Sequence, residues 1–268
     1  MIRIIDNYLN KLKHKKKIIN IYKKFFDQDN VVPIYTHKNN VYVVFKRKEK
    51  VFRKFSLDKK GASKIKNDFN GLKWYYSKNK YIKKDIVQNY VSKKNFCYLD
   101  TKALKGRKIK SWLPLSKNYK YIKKSLMHYK KIFNYEKNIK FHGDLTLENI
   151  FFDKNKVIFI DWEFFNSKKY WGYDAVYLVL SSVCIPFIVN KTFSKKDQYL
   201  FQNLWKILIN MPINRKIIQN PFVYFTHVIK NDKLLNQSRL ISKNKFFPLI
   251  TPKNFKKKIV NIIKSDKK

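Results

Sequence analysis

The 268-residue sequence predicts an α+β chain in two lobes: an N-terminal antiparallel sheet plus one helix, then a mainly helical C-terminal lobe. Three observations carry this expectation. Short β-branched and aromatic runs crowd the first hundred residues, helical spacing dominates from about residue 117, and "KGRK" with Gly106 marks a turn or crossover between the two regimes. The lobes are therefore expected at 1–104 and 105–268. A hydrophobic fraction of 44% with 22 Phe supplies core for such a chain and excludes a wholly disordered basic tail.

Residues 1–29 read as one or two basic amphipathic helices, with Ile5, Leu9, Leu12, Ile18, Tyr22, Phe25 and Phe26 at roughly helical spacing. This basic helical extension would pack on the flank of the fold or lie on a membrane surface. "VVPIYTHKNNVYVVFKRKEKVFRKFSL" (31–57) alternates apolar runs with turn-like tetrads and predicts an antiparallel meander. A helix is expected over 62–78, with Ile65, Phe69, Leu72 and Tyr76 on its inner face, followed by strands at 85–92 and 95–104. "YKYIKKSLMHYKKIFNYEK" is helical. The apolar run "AVYLVLSSVCIPFIV" (175–189) has 15 residues and a Pro, too short to span a bilayer, and reads as a buried helix. The basic C-terminus "NFKKKIVNIIKSDKK" reads as a frayed helix.

The net charge of +43 invites a nucleic-acid partner. However, only six of the 61 basic residues are Arg, Ala occurs three times, and Asn, Ile, Tyr and Phe are abundant. That is the residue set of AT-rich codons, so most of the Lys excess is expected on solvated surface and nucleic acid is disfavoured. Acids are few although their codons are not GC-rich, which keeps a preference for anionic partners open: a phosphorylated substrate or an anionic membrane surface. Two cysteines, Cys97 and Cys184, make no disulfide framework and fit a reducing cytoplasm. The N-terminus has no uninterrupted apolar stretch, so no signal peptide is expected.

Against this background "KFHGDLTLENIFFDKNKVIFIDWEFF" (140–165) gathers Asp144, Glu148, Asp153, Asp161 and Glu163, five of only 18 acids. Its two apolar runs, "IFF" and "VIFID", flank the turn-like "DKNK" and predict a hairpin. Such a hairpin brings Asp144 and Asn149 at one mouth toward Asp161 at the other. Hard oxygen donors converging in this way suit Mg²⁺ shared with nucleotide phosphates. Asp144 and Asn149 are five positions apart, the spacing of catalytic Asp and metal-binding Asn in the kinase template.

These motifs resemble the phosphotransferase superfamily of aminoglycoside phosphotransferases, choline/ethanolamine kinases and lipopolysaccharide-sugar kinases, where "HGD" stands for the protein kinases' "HRD" and "IDWE" for "DFG". The resemblance implies a protein-kinase-like fold and an ATP-dependent kinase with Mg²⁺. It casts Asp144 as the base that orients the acceptor hydroxyl, Asn149 and Asp161 as metal ligands, and Glu163 as their helper. Lys54 in "VFRKF" would hold the nucleotide phosphates and pair with Asp68 on the following helix, with Arg53 the alternative on the opposite strand face. Backbone groups around Lys102, Ala103 and Leu104 would meet adenine. His142 and Asp174 would support the loop structurally. Glu148 and Asp153 read as a solvated loop residue and a turn residue.

The glycine-rich loop of protein kinases is missing from "PIYTHKNNVYV", and only twelve residues separate Asp161 from Asp174, too few to seat a peptide. A small hydroxylated acceptor follows: a sugar or glycolipid of surface-polysaccharide metabolism, at the cytoplasmic membrane face. The alternative is an amino alcohol of the choline/ethanolamine type, with Trp162, Phe164, Tyr170, Trp171 and Tyr173 as an aromatic box. A reading of another class is a pseudokinase or basic nucleic-acid-binding module without catalysis. Lys54, Asp144, Asn149 and Asp161 occurring together speak against it.

Overall fold

Alternation along five short strands organises the first of two units, Met1–Leu104 and Lys105–Lys268, into which the chain divides. The structure is a computed structural model and describes residues 15–26, 30–37, 41–79, 86–93, 96–133, 140–154, 156–165, 171–231 and 247–265. Strands β1 (Val31–His37), β2 (Val41–Lys46), β3 (Val51–Ser56), β4 (Val87–Lys93) and β5 (Phe96–Lys102) form one antiparallel sheet in the order β1-β2-β3-β5-β4. In register, Val44, Arg53 and Asp100 lie side by side, and so do their neighbours Val43, Lys54 and Leu99. Because successive side chains point to opposite faces, each row faces a different helix.

The first row meets the helix at 15–25, here α1. Ile18 and Tyr22 of α1 are buried against Val44 and Phe55, with Phe26 and Tyr98 packed beside them. This inner face belongs to the core of the unit, which is the flank-packed helix of the two alternatives the sequence leaves open, not the membrane-surface one. Residues 1–14 and 27–29 lie outside the described residues. The second row meets α2 (Lys59–Lys78), which Asp58 caps by accepting the Gly61 N–H at 2.7 Å. That cap starts the helix three residues earlier than its apolar spacing indicates. The buried stripe of α2 runs through Ile65, Asp68, Leu72 and Tyr75, so an acid occupies the inner face where Phe69 and Tyr76 are expected. Phe69 instead stacks on Tyr90 of β4, centroids 4.1 Å apart.

Arg53 fixes the α1 face. Its guanidinium donates to both oxygens of Asp100 at 2.6 Å, donates to the Tyr22 hydroxyl at 3.3 Å, and lies over the rings of Phe26 and Tyr98 at 4.5 and 4.2 Å. Arg53 and Asp100 are both buried. Such a bidentate pair satisfies the charges that burial removes from water.

The second unit opens on a three-stranded sheet, β6 (Arg107–Lys108), β7 (Ile150–Asp153) and β8 (Lys156–Phe159), in that order. Helices follow: α3 (Leu115–Ile132), α4 (Tyr173–Asn190), α5 (Lys195–Ile209), α6 (Arg215–Gln219), α7 (Pro221–Asn231), α8 (Phe247–Ile250) and α9 (Lys253–Ser265). Helix α4 is apolar all round, is buried without a break from Tyr173 to Cys184, and packs against α3, α5 and α8. It takes in residues on both sides of the apolar run and reaches 18 residues, enough to cross a membrane by length and composition alone. Most of its surface is covered by the other helices of the unit. Helix α9 is packed rather than frayed. Phe255, Ile259 and Ile263 are buried, and Phe255 stacks on Phe187 of α4 at 3.7 Å. An antiparallel sheet carrying α2 directly after β3, followed by helices around a β-hairpin, is the α+β architecture the sequence predicts.

Two outcomes follow from this packing. Arg53→Met or Asp100→Leu alone leaves a buried charge without its partner and should cost about 3–5 kcal/mol in urea unfolding. Combining the two should recover a large part of that loss. On α3, His128 sits edge-on to Phe159, and burial, then Lys131, lower its pKa from 6.5 to about 4. The unfolded chain therefore binds the extra proton between these values. Stability is full above pH 6.5 and falls as pH drops toward 4, by at most ~3 kcal/mol at ~1.4 kcal/mol per pH unit. His128→Gln should flatten the stability profile in that window, as read by urea titrations across pH.

Candidate active site

In the second unit a short loop, 142–149, is closed on itself and on the hairpin by hydrogen bonds that leave little freedom to the side chains it carries. Asp174, in the first turn of α4, accepts the His142 N–H at 2.7 Å on one oxygen and the Gly143 N–H at 2.8 Å on the other. Its carboxyl is fully buried, and that burial pushes its pKa up to about 7 despite the two N–H groups pulling the other way; Asp144 adds to the rise. The His142 ring, tilted against Trp162 with centroids 4.6 Å apart, bonds the Ile160 carbonyl through Nε2 at 2.7 Å and receives the Asp144 N–H on Nδ1 at 3.4 Å. A carbonyl only accepts and an amide N–H only donates, so the ring is the neutral tautomer with its proton on Nε2.

Residue 143 is a glycine for a positive reason. Its φ is +89°, and a Cβ there would stand 2.5 Å from the Phe164 Cβ.

The rest of the circuit runs through Asn149. The 3₁₀ turn Leu147–Asn149 leads into β7, and the Asn149 carbonyl accepts the Ile160 N–H at 3.0 Å across the mouth of the hairpin. The Asn149 Nδ2 donates to the Asp144 carbonyl at 2.8 Å, which commits the amide nitrogen to the loop and leaves Oδ1 as its acceptor atom. Asp161, the residue after Ile160, adopts a left-handed backbone with φ +66°. Short acidic side chains tolerate that conformation, and such backbones cluster at functional sites. Asp144, Asn149 and Asp161 are thus carried on backbone joined by this bond circuit, and Glu163 follows in the next turn.

Among the described residues no group of three or more His, Cys, Asp or Glu forms a metal centre. The donors present are instead two carboxylates, Asp161 and Glu163, and the Asn149 amide oxygen. That hard, incomplete set fits Mg²⁺, which keeps waters and phosphate oxygens as further ligands, and does not fit a closed protein cage.

One side chain at the loop escapes the sequence reading. The Tyr177 hydroxyl on α4 donates to Asp144 Oδ1 at 3.0 Å, and its ring is buried between Phe225 and Phe247. A Tyr inside an apolar helix reads as core, and its position three residues after Asp174 is the one signal that it shares the Asp174 end of α4. Glu148 also differs from a purely solvated loop residue, since it accepts the Ser111 hydroxyl at 2.5 Å. Asp153 ends β7 opposite Lys156. Trp162, Phe164, Trp171 and Tyr173 are all buried, so they do not form an open aromatic box. Trp162 Nε1 donates to the Phe159 carbonyl and Trp171 Nε1 to the Phe133 carbonyl, which fixes both indoles in the core. Tyr170 lies outside the described residues.

In the first unit Lys54 Nζ meets Asp68 Oδ2 at 2.6 Å, the lysine partly exposed and the aspartate buried. Arg53 points to the opposite face and is fully engaged there. At the end of β5 the Lys102 N–H donates to the Ile86 carbonyl at 2.8 Å and the Ala103 N–H to the Lys50 carbonyl at 2.9 Å. A nucleotide base at this segment would therefore have to use the carbonyls or Leu104.

No protein-family model matches the chain, and comparison with curated proteins finds no match. Among solved structures it is similar to the GDP and kanamycin complex of the aminoglycoside phosphotransferase APH(2'')-IIia, at 11% identity and TM-score 0.41, over 87% of this chain and 99% of that one. It is also similar to the Cydia pomonella granulovirus kinase PK-1, at 16% identity and TM-score 0.38 over 92% and 91%. A third is the bifunctional kinase-methyltransferase WbdD, at 13% identity and TM-score 0.35, over 83% of this chain and 46% of that one. At these values the likeness says nothing of what this chain binds or transfers.

Asp174→Asn replaces one accepting oxygen with an amide that faces a backbone N–H. We expect a loss of about 1–3 kcal/mol in unfolding free energy. Hydrogen exchange should show faster exchange of the His142 and Gly143 amides in the folded variant.

Proposed function

We propose that the chain is an ATP-dependent phosphotransferase that passes the γ-phosphoryl group to a hydroxyl of a small molecule, and that the acceptor is a sugar or glycolipid of surface-polysaccharide assembly. The observation that carries this reading is the bonded circuit of Asp174, His142, Gly143, Asn149 and Ile160, which presents Asp144 on a rigid loop beside Asn149 and Asp161. In phosphoryl transfer, catalysis is largely positioning and charge stabilisation, so a rigid loop is what the chemistry needs. The acceptor oxygen forms its bond to the γ-phosphorus as the bond to the β–γ bridging oxygen breaks. Asp144 holds and receives the hydroxyl proton, and Tyr177 anchors one oxygen of that carboxylate.

Asn149 and Asp161, helped by Glu163, would hold Mg²⁺, which when bound supplies positive charge to the phosphates. Lys54, held by Asp68, would add its own, while Lys102, Ala103 and Leu104 belong to the adenine side in this reading. The sugar or glycolipid acceptor is favoured over an amino alcohol because the aromatic residues of the supposed box are core, and because the excess of cations suits an anionic acceptor. The two thiols, both free and buried, fit the cytoplasm, where the glycolipid would be met at the membrane face.

The test is ³¹P NMR with MgATP against amino alcohols, hexoses, heptoses and Kdo-type sugars. Asp144→Ala should abolish transfer with the fold retained, and so should Asp161→Asn, chosen because Asn also tolerates the left-handed backbone. Tyr177→Phe should keep the fold and lower turnover by about tenfold, the size of one hydrogen bond of ~1.4 kcal/mol. Near wild-type transfer by Asp144→Ala would overturn the assignment.

A further inference from the structure

The second unit carries a cavity of about 570 Å³ whose walls are cationic on three sides. Arg107 comes from β6, Lys120, Lys123 and Lys124 from α3, and Lys154 from the turn between β7 and β8. An adjoining recess of about 390 Å³ shares Arg107, Tyr121, Lys124 and Lys154. Neither lining includes an Asp or Glu among the described residues.

General basicity does not account for this. The chain holds 61 Lys and Arg in 268 residues, under a quarter, whereas five of the eight residues lining the larger cavity are cations. Lys120, Lys123 and Lys124 follow i, i+3, i+4 spacing and so share one face of α3, with Met127 one turn further on. Like charges at that spacing weaken a helix by a few tenths of a kcal/mol per pair.

All five cations are exposed, and two of them, Arg107 and Lys120, are held in place by neighbouring groups. Gly106, at φ +124°, brings its backbone so near β7 that a Cβ would stand 2.6 Å from the Phe152 carbonyl oxygen, which seats Arg107 directly on the sheet. The Arg107 guanidinium bonds the Tyr121 hydroxyl and lies 5.0 Å from the Tyr121 ring centroid, while Lys120 lies 5.1 Å from the same ring. Tyr121 packs edge-on against Phe152 at 5.0 Å and so joins the cations to an apolar floor.

We propose that this cavity is a binding site for a compact ligand with clustered phosphate groups, either free in solution or as a lipid headgroup. It would be separate from the loop that carries Asp144. Phosphate oxygens would bridge the α3 lysines to Arg107 and Lys154, relieving the repulsion among them. The ring of Tyr121 and the thioether of Met127 would lie under the carbon skeleton between the phosphates. The volume lies within the range of small-molecule sites.

The full-length protein is titrated calorimetrically with tripolyphosphate at physiological salt. Three proteins are compared: wild type, a Lys120→Gln/Lys123→Gln/Lys124→Gln variant, and a Lys253→Gln/Lys257→Gln/Lys258→Gln variant that removes the same charge from α9. A vesicle arm compares a bisphosphorylated headgroup with phosphatidylserine at equal surface charge. Saturable binding weakened roughly tenfold or more by the α3 variant, and unchanged by the α9 variant, supports the site and a free ligand. Preference for the bisphosphorylated vesicles, lost in the same variant only, supports the headgroup. Equal weakening by both variants shows a net-charge effect and overturns the proposal. So does binding that survives the α3 variant but is lost in Lys54→Met, and so does the absence of saturable binding in either arm.

Discussion

The carboxylate of Asp174 is the interaction on which the loop at 142–149 depends. A fully buried carboxylate is costly unless its oxygens are satisfied. Here the two donors are consecutive backbone N–H groups of the loop, one to each oxygen. Neither donor can move without leaving a buried carboxyl oxygen unsatisfied, which favours this arrangement of the loop. Gly143 is the consequence: its left-handed backbone and its contact with Phe164 exclude a side chain. His142 then reaches Ile160 because its own N–H is already fixed, and Asn149 reaches Asp144 by the same logic. The order of dependence runs from a helix terminus to a loop to the backbone that carries Asp144 and Asn149, and each link is a hydrogen bond between 2.7 and 2.8 Å.

The first unit separates two cations that are neighbours in sequence. Arg53 and Lys54 leave β3 on opposite faces, and each meets a buried aspartate, but the two pairs differ in kind. Arg53 is bidentate, stacked on two rings and closed off from solvent. Lys54 meets Asp68 through its ammonium and keeps part of its surface exposed. A planar guanidinium suits the closed, multiply bonded position, whereas an ammonium on a flexible stem can exchange one anionic partner for another. The difference is chemical as well as positional: it marks Arg53 as a fold residue, whereas Lys54 is the one of the two that stays partly open to solvent.

Much of this is legible in the sequence, for a physical reason: strands, the hairpin and the HGD segment are local features, written in contiguous alternation and turn residues. The meander at 31–57 and the hairpin at 150–159 need only neighbouring side chains to declare themselves. What escapes the sequence is tertiary. Tyr177 touches Asp144 across 33 positions, and Arg53 meets Asp100 across 47, so no local pattern announces either pair. The inner stripe of α2 is displaced toward Asp68 because Lys54 has to be neutralised there, which overrides apolar periodicity. Trp162, Trp171 and Tyr173 look like a binding box in sequence because aromatic residues serve core and site alike. Only burial separates the two uses.

The scarcity of acids, seen against the structure, becomes a rule of placement. Asp58 caps α2, and Asp197 closes the capping box of α5 while also accepting the Ser116 N–H of α3. Asp68 and Asp100 neutralise buried or half-buried cations, Glu49 pairs with Lys46, and Asp174 holds the loop. Each of these carboxylates answers a donor that the fold itself presents. A chain that places its few acids in this way has few left to neutralise surface lysines, so cation clusters must be met by solvent ions or by ligands. Scattered lysines on exposed helix faces are met by solvent at little cost. Five cations converging on one open concavity differ in that their potentials add over it, although each is itself exposed. The same composition that makes the net charge uninformative therefore makes the shape beneath a cluster informative.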